Sequence, residues 1–510
     1  MSKSVRVRFA PSPTGPLHIG GVRTALYNYL FARKMGGQML LRIEDTDQNR
    51  FVPGAEQYIL DALAWAGIQI DEGQGVGGPH APYRQSERRD IYQQEAQRLV
   101  DEGKAYYAFD TADELDAMRQ RLEAANAPAA QYNAITRMQM RNSLTLKADE
   151  VRARIDAGEP YVIRLKTPRK EEVRLNDLIR GWVNVHSSAI DDKVLLKSDG
   201  LPTYHLANIV DDHLMGITHV IRGEEWLPSA PLHVLLYRYL GWEDTMPQFA
   251  HLPLLLKPEG NGKLSKRDAD LGGFPIFPLQ WTDPATGQVA RGFREDGYLP
   301  EATINFLALL GWNPGTEQEL FTMDELIASF DLAQVHKAGA RFDIQKAQWF
   351  NHQYIRLRPD AELAPAVQQQ AEAAGYDCPP EKAEKIVALL KGRVNFAHEI
   401  YGEAATIFNA PATYDEAIVA AKWNDDAIRA ATAFYDALLA YEGPFVADDI
   451  KHLLADTMTQ AGIKQGKIMQ AMRVALTGSG AGPDLMLTME IIGKDETVSR
   501  LKQALQTLAR

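Results

Sequence analysis

The first hundred residues alternate between short runs typical of strands and longer runs typical of helices. RVRF at 6–9 has the character of a strand, and after a turn-rich loop an apolar run from about Gly21 to Lys34 has helical spacing. QMLLRIE at 38–44 then predicts a second strand, and PGAEQYILDALAWAG at 53–67 predicts a second helix. This alternation predicts an α/β domain built on a parallel sheet.

The pattern changes twice further along the chain. Between 111 and 190, polar helical stretches and then the β-branched YVIRLK predict an inserted domain. The α/β pattern returns at 193–223 and is followed by a predicted helix at 226–242. After about residue 325 strand signals become rare and alanine-rich amphipathic periods multiply, so the C-terminal third is predicted to be helical.

Composition narrows the class of protein. A chain of 510 residues is long enough for several domains, and its single cysteine, Cys378, excludes an internal disulfide or a multi-cysteine zinc site. No apolar run reaches the roughly 18 residues of a membrane span, and the N-terminus lacks a signal-peptide pattern, so we expect a cytoplasmic protein with no membrane partner. A net charge of -12 argues against indiscriminate nucleic-acid binding but leaves room for a specific RNA partner.

The loop after the first strand has the composition of a phosphate site. Residues 8–24 read RFAPSPTGPLHIGGVRT, with Gly15, Gly20 and Gly21 flanking His18 at the predicted helix start. Glycines let backbone approach a nucleotide closely, and a helix start offers free N–H groups and a positive dipole. His18 could point a ring N–H at a phosphate oxygen. An ordinary strand-to-helix turn with a surface histidine is the alternative.

A second motif supports the first. KLSKR at 263–267 lies 245 residues after His18 in a glycine-flanked segment. PSPTGPLHIGG resembles the HIGH motif, and KLSKR resembles the KMSKS motif, of class I aminoacyl-tRNA synthetases. Together with RIEDTD, YRQSER and LPTYHLANIVDDHLMGITHVIRGEEW, they make nearly the whole chain resemble the bacterial glutamyl-tRNA synthetase family.

The resemblance implies a multidomain fold that is α/β followed by all-α. A Rossmann-type parallel sheet is split by an inserted acceptor-binding domain, and a helical anticodon-binding region ends the chain. The implied divisions are 1–110 for the first half of the catalytic domain, 111–190 for the inserted acceptor-stem-binding domain, 191–250 for the second half, 251–325 for a stem-contact region carrying KLSKR, 326–385 for a helical domain and 386–510 for the anticodon-binding domain.

The resemblance also implies a reaction. L-glutamate is activated by ATP to glutamyl-adenylate and transferred to the 3′-terminal adenosine of tRNA(Glu), by a protein acting as a monomer. Because no protein nucleophile is required, catalysis would depend on alignment and on positive or N–H groups near the phosphates. The implied catalytic residues are His18, Lys263 and Lys266. Mg²⁺ would accompany ATP, and the implied ATP-binding residues are Thr14, Gly15, His18, Gly20, Gly21, Leu254, Leu255 and Lys266.

A glutamate site needs cations for two carboxylates and an anion for the ammonium. By the same resemblance, Arg8 and Arg222 would bind the carboxylates and Glu44 the ammonium. Ser12, Tyr204 and Asn208 would supply orienting hydrogen bonds. Without the resemblance, Glu44 reads as a salt-bridging or capping carboxylate and Arg8 as a solvated arginine at a strand edge.

The sequence departs from the family pattern at three places. Some members carry a Cys-x-Cys zinc pair in the insertion, whereas this chain has Ala108 and Asp110, so no structural zinc is expected. The segment 272–293 lengthens the stretch after KLSKR and is predicted to be a surface loop or small hairpin of unassigned role. Arg267 replaces the final serine of the motif, which is compatible with family variants.

Several alternatives remain open. The enzyme could be non-discriminating and also charge tRNA(Gln) with glutamate. A small-molecule nucleotidyltransferase or a shortened relative that modifies a tRNA base would leave the helical third unexplained, and a non-catalytic RNA-binding paralogue would not need the motifs. A glutaminyl enzyme typically has a β-barrel in place of the helices. In the helical third, Lys464, Lys467 and Arg473 are candidate contacts to the tRNA anticodon arm.

Overall fold

The computed structural model describes residues 4–127 and 130–508, and the chain forms two compact units that divide between Ala347 and Gln348. All strands among these described residues lie in the first unit. They are β1 (Arg6–Phe9), β2 (Gln38–Leu41), β3 (Glu72–Gly73), β4 (Ala105–Ala108), β5 (Val162–Leu165), β6 (Glu172–Asp177), β7 (Gly181–His186), β8 (Val194–Leu196), β9 (His219–Gly223), β10 (Gln248–Leu252), β11 (Leu255–Leu256), β12 (Trp281–Thr282), β13 (Val289–Ala290) and β14 (Ala340–Arg341).

The helices of the first unit cover the sheet and connect its strands. They are α1 (Ile19–Lys34), α2 (Ala55–Trp65), α3 (Arg89–Asp101), α4 (Ala112–Ala124), α5 (Ala148–Asp156), α6 (Tyr204–Leu214), α7 (Ala230–Tyr239), α8 (Lys266–Gly272), α9 (Pro300–Ala308) and α10 (Met323–Ser329). A further helix, α11 (Ile344–Leu357), crosses the division between the units.

The catalytic-type sheet has two parallel halves. In one half the order is β1, β2, β3, with Val7 opposite Met39, and in the other β10 lies between β9 and β6. The halves adjoin because the backbone N–H of Thr218, just before β9, donates to the Arg6 carbonyl at 2.9 Å. From β1 the chain continues to its neighbour β2 on one side, and from β9 it continues to its neighbour β10 on the other side. This divergence opens a crevice beyond the carboxyl ends of β1 and β9.

Side-chain burial explains why these segments pack as they do. Val7, Leu40, Leu41, Val220 and Ile221 are all buried in the strands. The adjoining helices α6 and α7 bury Leu206, Ile209, Leu235 and Tyr237. A sheet covered on both faces favours such continuous apolar strands. The predicted parallel α/β sheet is confirmed.

Strand pairing does not follow the predicted limits of the insertion. The strands of a separate antiparallel sheet are β4, β5 and β8, so residues 105–108 and 194–196 pair with the insertion. Conversely β6 and β7, at 172–186, extend the catalytic-type sheet through β10. The physical reason is that β6 carries alternate buried residues that complete the sheet beside β10, a pairing the local pattern does not reveal.

The predicted boundary at 325–326 also differs from the compact units. The first unit continues to Ala347, because β14 pairs in parallel with β11 and Phe342 is buried beside Phe274 and Phe306. Residues 326–347 therefore pack with the stretch that carries KLSKR. Strand β14 is only two residues long, which explains why the sequence pattern did not predict it.

The second unit is helical, as predicted. Its elements after α11 are α12 (Asp360–Ala373), α13 (Pro380–Leu390), α14 (Glu399–Glu403), α15 (Ala405–Phe408), α16 (Glu416–Lys422), α17 (Asp425–Ala440), α18 (Ala447–Gln460), α19 (Gln465–Thr477), α20 (Leu485–Ile492) and α21 (Lys494–Thr507). Helix α17 packs against α18, α19 and α21, and the shared core includes Phe434, Leu454, Met472 and Leu501. Among the described residues, no helix combines the length and the apolar character that crossing a bilayer demands.

Candidate active site

The loop between β1 and α1 presents His18 as a neutral hydrogen-bond donor. His18 caps α1, and its Nδ1 accepts the backbone N–H of Gly20 at 3.0 Å. Because Nδ1 accepts, the ring proton belongs on Nε2, which is buried and has no hydrogen-bond partner. Burial, with a smaller contribution from the Lys263 ammonium, lowers the pKa of His18 to about 4. The ring therefore offers one unused N–H beside a helix start.

The segment 272–293 packs against this loop. The Ile276 carbonyl accepts the backbone N–H of Ile19 at 3.0 Å, and the Phe277 ring meets His18 edge-on at 6.3 Å. Farther along, β12 and β13 form an antiparallel hairpin, with Trp281 edge-on to Tyr58. The predicted small hairpin is confirmed, and the segment packs beside the His18 ring.

An open cleft of about 1360 Å³ lies at the carboxyl ends of β1 and β9. Most of the predicted site residues line it: Arg8, Ser12, Thr14, Gly15, His18, Gly20, Gly21, Glu44, Tyr204, Arg222, Leu254, Leu255 and Lys263. Asn208 and Lys266 do not line it. Asn208 is buried just behind the wall, where its Oδ1 lies 3.4 Å from Nη2 of Arg8.

Arg8 and Glu44 belong to a buried network of charges. The Nε of Arg8 donates to Asp212 at 3.1 Å, and the same carboxylate accepts from Nη1 of Arg42 at 2.8 Å. The other end of Arg42 donates to Glu44 at 3.1 Å. Arg8 uses Nε for Asp212 and directs Nη2 toward Asn208, and the residue also lines the cleft, where its guanidinium can meet a carboxylate.

Glu44 is chemically suited to an ammonium. Burial raises the pKa of its carboxyl, while Arg42 and Arg8 oppose that rise. A substrate cation beside it would favour the ionised form further. The salt bridge expected of Glu44 without the family resemblance is present, to Arg42, and the same side chain also lines the cleft.

Arg222 faces the cleft from the neighbouring strand β9. Its Nη1 donates to the Tyr204 hydroxyl at 2.9 Å, and the Tyr204 ring stacks on Trp226 with centroids 4.1 Å apart. Burial raises the pKa of Tyr204, so the hydroxyl stays protonated. Two arginines, Arg8 and Arg222, thus stand on either side of the point where the two halves of the sheet adjoin.

The KLSKR segment presents its two lysines differently. The ammonium of Lys263 lies 2.7 Å from Glu225 at the edge of the cleft, near enough to affect His18. Lys266 is exposed at the first position of the short helix α8, after a capping box formed by Ser265 and Asp268. The structure therefore brings Lys263, and not Lys266, to the cleft.

The strand before KLSKR already uses part of its backbone. The N–H of Leu254 donates to the Glu224 carboxylate at 2.8 Å, and its carbonyl accepts from Ala340 at 2.9 Å. The Leu255 carbonyl accepts from Leu264 at 2.8 Å. The roles of Leu254 and Leu255 in binding ATP stay predictions, and the backbone groups named here would have to change partners if they bound the base of the nucleotide.

Comparison with known proteins matches this arrangement. The family model described as tRNA synthetases class I (E and Q), catalytic domain, matches residues 4–349, and the model for an anticodon binding domain matches residues 362–505. The glutamate–tRNA ligase of Cytophaga hutchinsonii is 66% identical over 510 residues, covering 100% of this chain and 98% of that protein. The chain belongs to the glutamate–tRNA ligase family.

Other members of the glutamate–tRNA ligase family are similar to this chain along nearly its whole length. The protein of Porphyromonas gingivalis is 56% identical over 509 residues and is fully covered. A crystal structure of a glutamate tRNA ligase from Elizabethkingia meningosepticum, in complex with its amino acid, superposes with a TM-score of 0.92 at 50% identity, covering 99% of this chain and 100% of that one.

In this member of the glutamate–tRNA ligase family, hydrogen bonds around Asp110 support the insertion. The carboxylate accepts the Arg141 backbone N–H at 2.7 Å and the Tyr132 hydroxyl at 2.9 Å. Ala108, two residues earlier, is buried in β4 opposite Val162. Within residues 4–127 and 130–508, no group of three or more histidine, cysteine, aspartate or glutamate side chains could hold a metal ion.

Sequence reasoning missed the charges behind the cleft of this family member. Asp211 accepts from Arg88 at 2.8 Å and from the Tyr92 hydroxyl at 2.7 Å, and it lies beside Arg42. Together with Asp212, it is fully buried in α6. One signal was available: two adjacent aspartates interrupt an otherwise apolar helix in ANIVDDHL, and buried carboxylates require cationic partners.

Proposed function

We propose that this protein is a glutamate–tRNA ligase that activates L-glutamate with ATP and esterifies the 3′-terminal adenosine of tRNA(Glu). The observation that carries the proposal is that a single cleft holds groups suited to the amino acid and a group suited to the phosphates of ATP. Arg8, Arg222 and Glu44 offer charges complementary to an amino acid with two carboxylates, and His18 offers a donor for phosphate nearby.

In the first step, an oxygen of the α-carboxylate of glutamate attacks the α-phosphate of ATP. A mixed anhydride forms, the bond to the β-phosphate breaks, and pyrophosphate leaves with the electron pair. His18 would donate its Nε2–H to a phosphate oxygen while the start of α1 offers backbone N–H groups. Lys263 and Lys266 would neutralise charge developing on the pyrophosphate, and Mg²⁺ would accompany ATP.

Two features of the His18 loop, its unpartnered ring nitrogen and its glycines, support the binding of a nucleotide there. The buried Nε2 of His18 lacks a partner, which is costly unless a ligand supplies one. Gly15 adopts a φ of +148°, and an added Cβ on Gly21 would lie 2.5 Å from Leu17. Larger residues at these positions would strain or crowd the loop where a nucleotide would approach.

In the second step, a hydroxyl of the terminal tRNA ribose attacks the activated carbonyl. The ester forms, the anhydride bond breaks, and AMP leaves. No side chain of the protein needs to form a covalent bond with glutamate in either step. The residues around Arg8, Glu44 and Arg222 would keep the amino acid in position through both.

The assay for this proposal is charging with purified tRNA. Purified protein is expected to esterify tRNA(Glu) with radiolabelled glutamate, dependent on ATP, and to reject glutamine as the amino acid. A parallel reaction with tRNA(Gln) and glutamate decides whether the enzyme is non-discriminating. Absence of charging on both tRNAs would contradict the proposal.

We also propose that the second unit contacts the anticodon arm of the tRNA. Lys464 and Lys467 are exposed around the start of α19, whereas Arg473 is half-buried and donates to the Pro483 carbonyl at 2.5 Å. The two lysines are therefore better placed than Arg473 to meet phosphates. The protein would act in the cytoplasm, where tRNA and ATP are available, and as a monomer.

Removing both lysines is expected to weaken tRNA binding and its dependence on salt. Each lost phosphate contact lowers the slope of log affinity against log salt by about 0.7 to 1. The measurement is tRNA(Glu) affinity of Lys464→Ala/Lys467→Ala at several salt concentrations. Lys502→Ala removes one exposed lysine charge from α21 and is the control for the effect of each lysine. An unchanged slope in the double variant would show that this part of α19 does not contact RNA.

A further inference from the structure

Three neighbouring strands bring a buried relay of polar groups to Arg222. Strand register places His251 of β10 opposite Arg222 of β9, and Asp177 ends β6 on the other side of β10. Arg222 donates its Nε–H to His251 Nε2 at 3.0 Å, and His251 Nδ1 lies 2.6 Å from Asp177 Oδ2. His251 and Asp177 do not line the cleft.

The donor pattern assigns the state of the histidine. An arginine Nε always carries a proton, so His251 Nε2 must present its lone pair to Arg222. The ring proton therefore sits on Nδ1 and is donated to Asp177. A second proton on Nε2 would place two donors face to face. Burial lowers the pKa of His251 and so also disfavours the doubly protonated ring.

Asp177 is fixed by backbone groups as well. Its Oδ1 accepts the N–H groups of Ile179 at 3.0 Å, Arg180 at 2.9 Å and His251 at 3.3 Å. Burial alone would raise the pKa of the carboxyl, but hydrogen bonds, that from His251 first, hold it below its usual value. The carboxylate thus has a fixed orientation in which Oδ2 alone faces the imidazole.

We propose that Asp177 and His251 are positioning residues that orient the Arg222 guanidinium toward the substrate carboxylate and so set the affinity for glutamate. With Nε held by His251 and Nη1 donating to Tyr204, the guanidinium plane is fixed on two sides. His233 faces it from α7, with Nδ1 3.3 Å from Nη2. The inference rests on the proposed role of Arg222 in binding glutamate.

The alternative is that the pair only stabilises the sheet, and two substitutions at Asp177 separate these roles. In Asp177→Asn the amide oxygen is expected to keep the three backbone N–H groups, so the NH₂ group replaces Oδ2. This NH₂ donates to Nδ1 of His251, forces the proton to Nε2, and turns a donor toward Arg222. In Asp177→Ala the histidine can keep its native proton position, but three backbone N–H groups lose their acceptor.

Asp177→Asn and Asp177→Ala should therefore rank in opposite orders, the first impairing glutamate binding more and the second lowering stability more. Asp177→Asn should raise the glutamate KM in tRNA charging by at least about tenfold, since a hydrogen bond to a charged group is lost. The ATP KM should change less than about twofold, and the Tm gain produced by added L-glutamate should shrink. Asp177→Ala should raise the glutamate KM less than Asp177→Asn while lowering the Tm more.

Matched variants control for general destabilisation. Asp192→Asn changes another buried carboxylate, which accepts from Tyr106 and Arg137 away from Arg222, and should lower the Tm without raising the glutamate KM. His251→Phe retains the ring and loses the acceptor, so it should raise the glutamate KM even if Asp177→Asn does not fold. A glutamate KM that is unchanged in Asp177→Asn or His251→Phe, or raised more in Asp177→Ala than in Asp177→Asn, would overturn the inference. Failure of the unmodified protein to charge tRNA would instead overturn the proposed function and, with it, the role of Arg222.

Discussion

Lys266→Ala is expected to lower the rate of glutamyl-adenylate formation by about 10²- to 10³-fold, the usual cost of removing one charge contact to a transition state. Lys266 is exposed at the start of α8 outside the cleft, so its proposed role requires the KLSKR segment to move toward the phosphates. Such loop movements are common when substrates bind. The measurement is ATP–pyrophosphate exchange in the presence of tRNA(Glu), with circular dichroism to verify folding.

Arg267→Ala is the matched control for Lys266→Ala, because it removes the same charge from the next residue of the same turn. We expect it to retain the exchange rate within about threefold, as for an exposed side chain without a transition-state contact. If Lys266→Ala keeps its rate while Lys263→Ala loses it, the role assigned to Lys266 belongs to Lys263. That outcome would agree with the lysine that already lies at the cleft beside Glu225.

The sequence predicted those parts of the fold that depend on local periodicity. The apolar strand before Glu44 and the amphipathic helix α17 both have patterns that one segment reveals by itself. Pairing between distant segments is different. Strand β6 joins β10 although the pair lies more than seventy positions apart, as the contact of Asp177 with His251 shows. No local pattern specifies such a partner, so the limits of the insertion proposed from the sequence could not take this pairing into account.

The same division applies to the site. Arg8 and His18 could be proposed because their motifs are contiguous in the chain, and both line the cleft. Asp212 could not, because its function depends on Arg8 and Arg42, which come from β1 and the residue after β2. A buried carboxylate in a helix indicates that a cation exists but not which one. The KLSKR motif identified Lys266, but the motif does not show that the residue lies outside the cleft in the absence of substrates.

Arg8→Gln is expected to raise the glutamate KM by roughly 100-fold, since the loss of one partner in a buried charge pair costs several kcal/mol. In the unmodified protein, Arg8 would face the side-chain carboxylate, while glutamine would offer a neutral amide whose NH₂ group opposes the arginine donors. The variant should therefore also lose much of its preference for glutamate over glutamine in kcat/KM. The measurement is charging of tRNA(Glu) over a range of concentrations of each amino acid.

The surroundings of Arg8 make this result interpretable. Asp212 keeps Arg42 as a partner at 2.8 Å when Arg8 is replaced, so the carboxylate behind the cleft is not left without a cation and folding should persist. Arg6→Gln is the matched control, because Arg6 lies on the same strand and pairs with Glu72 at 2.8 Å but does not line the cleft. It should leave the glutamate KM unchanged within about twofold, because the Arg6–Glu72 ion pair does not line the cleft. If Arg8→Gln and Arg6→Gln behave alike, Arg8 serves the buried charge network alone, and the discrimination between glutamate and glutamine must come from Arg222 and the groups that orient it.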